Sequence, residues 1–357
     1  MFSVSLHTHS LTSSAALLTP SLLQQLTYSK MHGLGNDFIM VDAMHLPNDV
    51  QAYLRTEEAM SALSQKVCHR NFGIGADGCI LVSQLPDEAY PFYLYYNQDG
   101  TSGGMCGNGI RCFAQYVMQA GYLPESHAAT FDKAVPYTWS CHTPVGPKGL
   151  THLQNDLGER TGFIKVNMGV PVLTMSEVPF NTECYQVTPQ PHIASNAYSI
   201  PLPETVTQQC EGVSSLILQC VSMGNPHGVV WHHLLPEVLQ PHWEMLLQCL
   251  GPHLEVHPAF PKKANISFAR KHNDHHVTLA VWERGCGPTL ACGTGACATV
   301  VSGISQGILS EQVMVALPGG KLDIQWQPRS GDASVWMTGT ATLVGRIHFD
   351  DSFWCAL

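Results

Sequence analysis

The chain has 357 residues, 45% apolar and only 12% charged, a globular composition long enough for two domains of ordinary size. Its formal net charge is −10 and its Lys and Arg do not cluster, which argues against a nucleic-acid or membrane partner, and no apolar run reaches transmembrane length. Thirteen cysteines, an odd number with no Cys-x-x-Cys pair, disfavour a secreted disulfide scaffold, a zinc ribbon or a thioredoxin-like motif and suit a reducing cytoplasm.

Residues 1–26 are rich in Ser, Thr and Leu and hold no Lys, Arg, Asp or Glu. A secretory signal wants a positive start and a mitochondrial presequence wants arginines. The segment reads as a poorly ordered or loosely docked extension, with a plastid-type transit peptide as the alternative. Regular structure is expected from Thr27. Phe38 to Val41 reads as a buried strand after the turn Gly33-Leu34-Gly35-Asn36, and Glu57 to Val67 as a helix. Cys79 to Val82 and Phe92 to Tyr96 read as strands, and the glycine-rich loop from Asn97 to Gly104 leads to Cys106. Ile110, Phe113, Ala114, Val117 and Met118 then fall on one helical face, and Gly121 is placed to end that helix.

The Pro-, Gly- and polar-rich stretch 132–160 reads as a strand excursion or a loop insertion. Phe163 to Met168 alternates like a strand before Gly169 and Pro171, which places a domain boundary between 27–166 and 167–338. Leu216 to Val221 is a strand entering Ser222-Met223-Gly224-Asn225-Pro226-His227, and Val277 to Trp282 is a strand entering Glu283-Arg284-Gly285. A second helix runs from Gly293 to about Gln306; its mostly small residues predict that it is enclosed. Val313 to Leu317 and Leu322 to Trp326 read as strands. His232-His233 and His272 with His275-His276 lie in polar stretches and read as surface residues, so no metal site is expected.

Two short phrases repeat, each leading into one of the helices. Cys106-Gly107-Asn108-Gly109 aligns with Cys292-Gly293-Thr294-Gly295, and the same alignment matches Gly121 with Gly307 and Leu123 with Leu309. Gly35-Asn36 and Gly224-Asn225 likewise each precede a strand. A duplicated unit gives pseudo-two-fold symmetry, under which both helix N-termini can meet at the axis with a thiol on each side of a cleft.

Such a site suits proton transfer at an amino-acid α-carbon. Helix N-termini favour anions, so the backbone N–H groups of Gly107, Asn108, Gly293 and Thr294 can hold the carboxylate and the enediolate it becomes. One of Cys106 and Cys292 must be a thiolate to take a proton and the other a thiol to give one. His227 and Glu283 sit in motif-like turns and could tune them; a structural histidine and a salt-bridge partner are the plainer readings of those two. Cys68, Cys79, Cys112, Cys141, Cys184, Cys210, Cys220, Cys249, Cys286, Cys297 and Cys355 read as small apolar packing groups.

With these motifs the chain resembles the diaminopimelate epimerase family over residues 28–347. The resemblance is carried by Met31-His32-Gly33-Leu34-Gly35-Asn36-Asp37-Phe38, Gly73-Ile74-Gly75-Ala76-Asp77-Gly78, Asn97-Gln98-Asp99-Gly100, both cysteine phrases, Ala264-Asn265-Ile266, Glu283-Arg284-Gly285 and Leu317-Pro318-Gly319-Gly320. It implies an α/β fold of two pseudo-symmetric domains, each a barrel-like, mostly antiparallel sheet around a central helix, with a strand from 339–357 returning to the first domain. It further implies cofactor-independent interconversion of LL- and meso-2,6-diaminopimelate for lysine and peptidoglycan precursors, in a homodimer. Cys106 would be the proton donor and Cys292 the acceptor in one direction, with His227 and Glu283 adjusting them. Asn36, Asn97, Asn225, Asn265, Glu283 and Arg284 would hold the substrate. Among the departures, Gly78 stands where some members carry a substrate-contacting Gln, and Gly345 where an aromatic often supports the dimer. A racemase of another amino acid on the same fold and a non-catalytic thiol or metal-binding protein are the competing readings.

Overall fold

The computed structural model describes residues 18–123, 137–154, 160–329 and 331–354. In chain order the strands are β1 (Thr27–Gly33), β2 (Asn36–Asp42), β3 (Gly78–Ser83), β4 (Phe92–Asn97), β5 (Tyr137–Cys141) and β6 (Lys148–Gln154). Next come β7 (Arg160–Gly169), β8 (Thr188–Pro189), β9 (Ala197–Pro201), β10 (Ser215–Ser222), β11 (Pro226–Trp231) and β12 (Asn265–Asn273). The last are β13 (His276–Glu283), β14 (Gly287–Thr289), β15 (Gln312–Leu317), β16 (Gly320–Trp326), β17 (Val335–Thr340) and β18 (Thr342–Ile347).

They form two sheets. One has the order β18-β1-β2-β3-β4, so the last strand returns to pair with the first. The other runs β5-β6-β7-β17-β16-β15-β13-β12-β11-β10-β9-β8, with β14 beside β13. Most pairings are antiparallel; β2 with β3, β11 with β12 and β13 with β15 are parallel. The first sheet together with β5, β6 and β7 of the second encloses one helix, and other strands of the second sheet enclose another, giving a two-domain α/β fold. The first central helix, Gly107–Gln119, packs against β1, β2, β3, β4, β7 and β18; the second, Gly293–Ser305, against β10, β11, β12, β16 and β17. On the first helix Ile110, Phe113, Ala114 and Val117 are fully buried, as the apolar spacing requires. The second helix is enclosed, with nearly every residue from Gly293 to Gly303 buried.

Two expectations need correction, those for the N-terminal extension and for Cys286. The extension does not end in a loose lead-in to Thr27: Thr19 caps a helix Pro20–Gln24 whose Leu23 is fully buried beside Tyr28 and Trp354. Residues 1–17 lie outside the described residues. Of the two readings of the 132–160 stretch, the strand excursion is the one found: it holds the hairpin β5–β6, whose Tyr137, Trp139, Cys141 and Leu150 face the core, Trp139 reaching Phe113 at 6.4 Å between ring centres. Residues 132–136 and 155–159 lie outside the described residues, as does Cys355. Cys286 is exposed rather than packed, because Gly285 and Gly287, at φ 79° and 77°, lift it out on a turn.

Candidate active site

The site is built by the starts of the two central helices. Cys106 and Cys292 are both N-cap residues with extended backbone, at φ/ψ of −114°/125° and −115°/108°. Neither sulfur caps its own helix, so the first-turn N–H groups remain directed at the space in front of them. Both helices stop in the same way. Gly121 and Gly307 take φ 76° and 75°, and the N–H groups of Tyr122 and Ile308 return to the carbonyls of Val117 and Gly303. The matched glycines of the sequence are thus matched helix ends.

The two N-termini touch. A Cβ on Gly293 would lie 3.6 Å from Gly107 Cα and 3.0 Å from Met337 Sδ, and a Cβ on Gly107 would lie 2.9 Å from Met337 Cε. Only glycine lets both backbones close on the Met337 side chain. The side chain of Asn108 spans the halves, donating to Ala291 O (2.8 Å), next to Cys292, and to Asn36 Oδ1 (3.2 Å). The Cys106 thiol also donates to Asn36 Oδ1 (3.6 Å), and its backbone N–H to Tyr93 Oη (3.3 Å).

Both thiols are held protonated. Burial pushes Cys106 up to about 11, against the helix-start N–H groups of Gly109 and Asn108 and the charge of Arg111, which favour the thiolate. Burial pushes Cys292 well above the ordinary thiol range. The Glu283 carboxylate adds to the rise at both sulfurs, which places one acidic group within electrostatic reach of the pair. Burial also raises the Glu283 carboxyl, opposed by hydrogen bonds from Thr289 Oγ1 (2.5 Å) and from the Cys292 thiol.

A second group lies around Cys292. Its sulfur is 3.6 Å from Thr294 Oγ1, which accepts from Asn225 Nδ2 (3.5 Å). Asn225 Oδ1 accepts from His227 Nε2 (3.0 Å), while Asn265 donates to Pro226 O (3.3 Å) and accepts the Arg284 N–H (2.9 Å). His227 is fully buried; burial and then the Arg284 charge lower it to about 3, so the ring is neutral at pH 7. Its Nδ1 has no hydrogen-bond partner among the described residues.

Two expected residues are turned elsewhere. Asn97 accepts from Tyr95 Oη (2.7 Å) and donates to Thr101 Oγ1 (3.0 Å), and the exposed Arg284 guanidinium donates to Lys262 O (2.9 Å). At Gly78 a Cβ would lie 2.4 Å from the Tyr95 ring and 2.6 Å from Tyr96 O, so no side chain fits there. The sequence reading missed Met337, Thr289, Asp77 and Arg111. Asp77 stands inside a recognised motif and Arg111 two residues after one, yet nothing in spacing says what they bond across space.

The profile of the diaminopimelate epimerase family matches residues 28–173 and 219–344. Curated diaminopimelate epimerases from Halothermothrix orenii and Acinetobacter baumannii are each 37% identical over 90% of this chain, covering 96% and 97% of their own length. A rice relative (Oryza sativa subsp. japonica) named "Diaminopimelate epimerase, chloroplastic" is 37% identical over 89% of this chain and 78% of its own. Among solved structures, a hydroxyproline epimerase from Agrobacterium vitis superposes with a TM-score of 0.58 at 13% identity, over 90% of this chain and 91% of that one. A PhzF-family phenazine biosynthesis protein from Bacillus anthracis superposes at 0.55 and 15%, over 91% and 99%. These two likenesses concern the fold alone.

Proposed function

From the premise that the chain belongs to the diaminopimelate epimerase family, matched by that family's profile and 37% identical to curated members over 90% of its length, we propose that it interconverts LL- and meso-2,6-diaminopimelate. It is an isomerase, and lysine biosynthesis is the role of its family.

In this reading Glu283 takes the Cys292 proton, and the resulting thiolate removes the α-proton from one face of the substrate. Charge builds on the substrate carboxylate, where the N–H groups of Gly107, Asn108, Gly293 and Thr294 hold it. The Cys106 thiol then gives its proton to the opposite face. Asn36, Asn225 and Asn265 hold the amino and carboxylate groups of the substrate, joined by Asn97 and Arg284 once their side chains leave Tyr95, Thr101 and Lys262 O, and neutral His227 orients Asn225. The single observation that carries this reading is the contact of the two Cys-capped helix ends, with Glu283 acting on both sulfurs.

Assembly as a homodimer in the cytoplasm belongs to the same proposal. It is supported by β18 ending the first sheet with Val344 58% exposed, and by a cysteine spacing unlike that of a secreted disulfide scaffold. No helix among those residues is long and apolar enough to cross a membrane.

The test is steady-state epimerisation of diaminopimelate with reductant present. Cys106→Ala and Cys292→Ala should each lower kcat by about a thousandfold or more, since each removes one of the two proton carriers. Turnover near the wild-type rate in either variant would refute the assignment.

A further inference from the structure

The hydrogen bonds around Cys106 form a chain whose two ends have fixed polarity. At one end lies Arg111, fully buried and able only to donate. It donates hydrogen bonds to Gly107 O (3.0 Å), Asn108 Oδ1 (2.8 Å) and Thr340 O (3.2 Å). At the other end lies the Asp77 carboxylate, able only to accept, which takes Asn36 Nδ2–H at 2.7 Å. Between them stand two amides, whose oxygen and nitrogen are interchangeable in shape and are told apart only by their partners. Arg111 turns Asn108 Oδ1 toward itself, so Asn108 Nδ2 must face Ala291 O and Asn36 Oδ1. Asp77 turns Asn36 Nδ2 toward itself, so Asn36 Oδ1 must face Asn108 and Cys106.

The Cys106 sulfur therefore looks at an oxygen that can only accept. A thiol satisfies that oxygen. A thiolate leaves it opposed to a negative sulfur, which costs about as much as an unmade bond in a buried site. Asp77 itself is anchored by Arg70 (2.6 Å) and by the Asp37 N–H (3.1 Å).

We propose that Asp77 is a positioning residue: by fixing the Asn36 amide it keeps Cys106 as the proton-bearing thiol of the resting enzyme, leaving Cys292, beside Glu283, as the partner that becomes the base. This rests on the two-thiol reading above and extends it to which sulfur keeps its proton when the other is deprotonated. The titratable and charged groups facing Cys106 are Tyr93 and Tyr95 from β4, Arg111 and Cys112 from its own helix, and Glu283 from β13. Substituting Asp77 leaves all five in place.

The test needs no substrate. The full-length protein is treated with iodoacetamide at pH 8, and alkylation of Cys106 and Cys292 is followed separately by peptide mass spectrometry. Asp77→Ala removes the acceptor of Asn36 Nδ2 and leaves the bond from Asn108 as the remaining hold on that amide, whereas Asp77→Asn keeps an acceptor oxygen there. Asp77→Ala should alkylate Cys106 about tenfold faster than wild type, the change in thiolate fraction that one pKa unit produces, and Asp77→Asn should accelerate it less. Arg70→Gln breaks the Arg70–Asp77 ion pair but leaves the carboxylate on Asn36, so it should alkylate Cys106 at the wild-type rate. Three results would each overturn the proposal: no acceleration in either Asp77 variant, an equal acceleration at Cys292, or an equal acceleration in Arg70→Gln. The last two would mean that the loop had merely loosened. An epimerisation assay on the same wild-type preparation reports the catalytic reading independently. An inactive wild type with the expected alkylation pattern would sink that reading and spare the lock; the reverse would sink the lock alone.

Discussion

Glu283 shows how much one buried carboxylate is asked to do. To take the Cys292 proton it must be ionised, and burial raises its carboxyl above the usual carboxylate range. The sign follows: activity is complete above that raised midpoint and is lost as pH falls through it. A plot of log kcat/KM against pH should therefore bend on its acid side at a value above that of an ordinary Glu. Glu283→Gln should lose that bend and lower kcat by roughly a hundredfold to ten-thousandfold, the range for removing a general base. An unchanged acid limb in the Gln variant would remove Glu283 from the role. At this scale the sequence says a good deal about the thiols. Cys106 and Cys292 stand out because each opens a Cys-Gly-x-Gly phrase whose glycines offer a sulfur little apolar packing. It says little about Asp77, whose effect on Cys106 runs through Asn36 and depends on which end of an amide faces which neighbour.

The two central helices are the elements that place those sulfurs, and the second is pinned by a buried polar knot. Trp231 Nε1 donates to Ser302 Oγ (2.8 Å) and Gln219 Oε1 (3.1 Å), Ser302 Oγ donates to Gln219 Oε1 (2.6 Å), and Gln306 also donates to Gln219. Ser302→Ala should cost about 1–2 kcal/mol, since it strips one partner from buried groups that retain the other. Urea unfolding measures this, and a loss below a few tenths of a kcal/mol would show that the knot does not anchor the helix. Apolar spacing and a terminal glycine make both central helices readable from sequence. The helix Trp243–Glu255 is not, because Gly251 and Pro252 near its end look like a break. The structure gives Gly251 a packing reason: a Cβ there would lie 2.6 Å from the Trp282 ring. Strand partners such as β11 with β12, parallel and distant in sequence, leave no local signal at all.

In the whole molecule the halves meet at backbone. A Cβ on Gly319 would sit 2.0 Å from Leu34 O and 3.1 Å from Leu290 O, and the Gly319 N–H already donates to Leu290 O at 2.8 Å. Leu34 lies in the tight turn that delivers Asn36, and Leu290 lies two residues before Cys292. One methyl at Gly319 must push these apart, and a shift near 1 Å in a catalytic constellation can cost on the order of a hundredfold. Gly319→Ala should thus lower kcat at least about tenfold at a temperature where circular dichroism still shows a folded protein. A wild-type kcat in that variant would mean that the contact does not set the spacing of the thiols. The sequence shows Leu317-Pro318-Gly319-Gly320 as a motif but not what it touches, since that contact joins residues nearly 300 positions apart.

The central claim is that two thiols address opposite faces of one α-carbon. Its most direct measurement is the initial rate of LL-diaminopimelate conversion in deuterium oxide, with reductant and no added cofactor, followed by mass analysis of both product and recovered substrate. Two bases predict meso product carrying one solvent deuteron at the inverted carbon while the remaining LL substrate stays unlabelled. Product that keeps its original protium, or label entering substrate and product equally, would contradict the account.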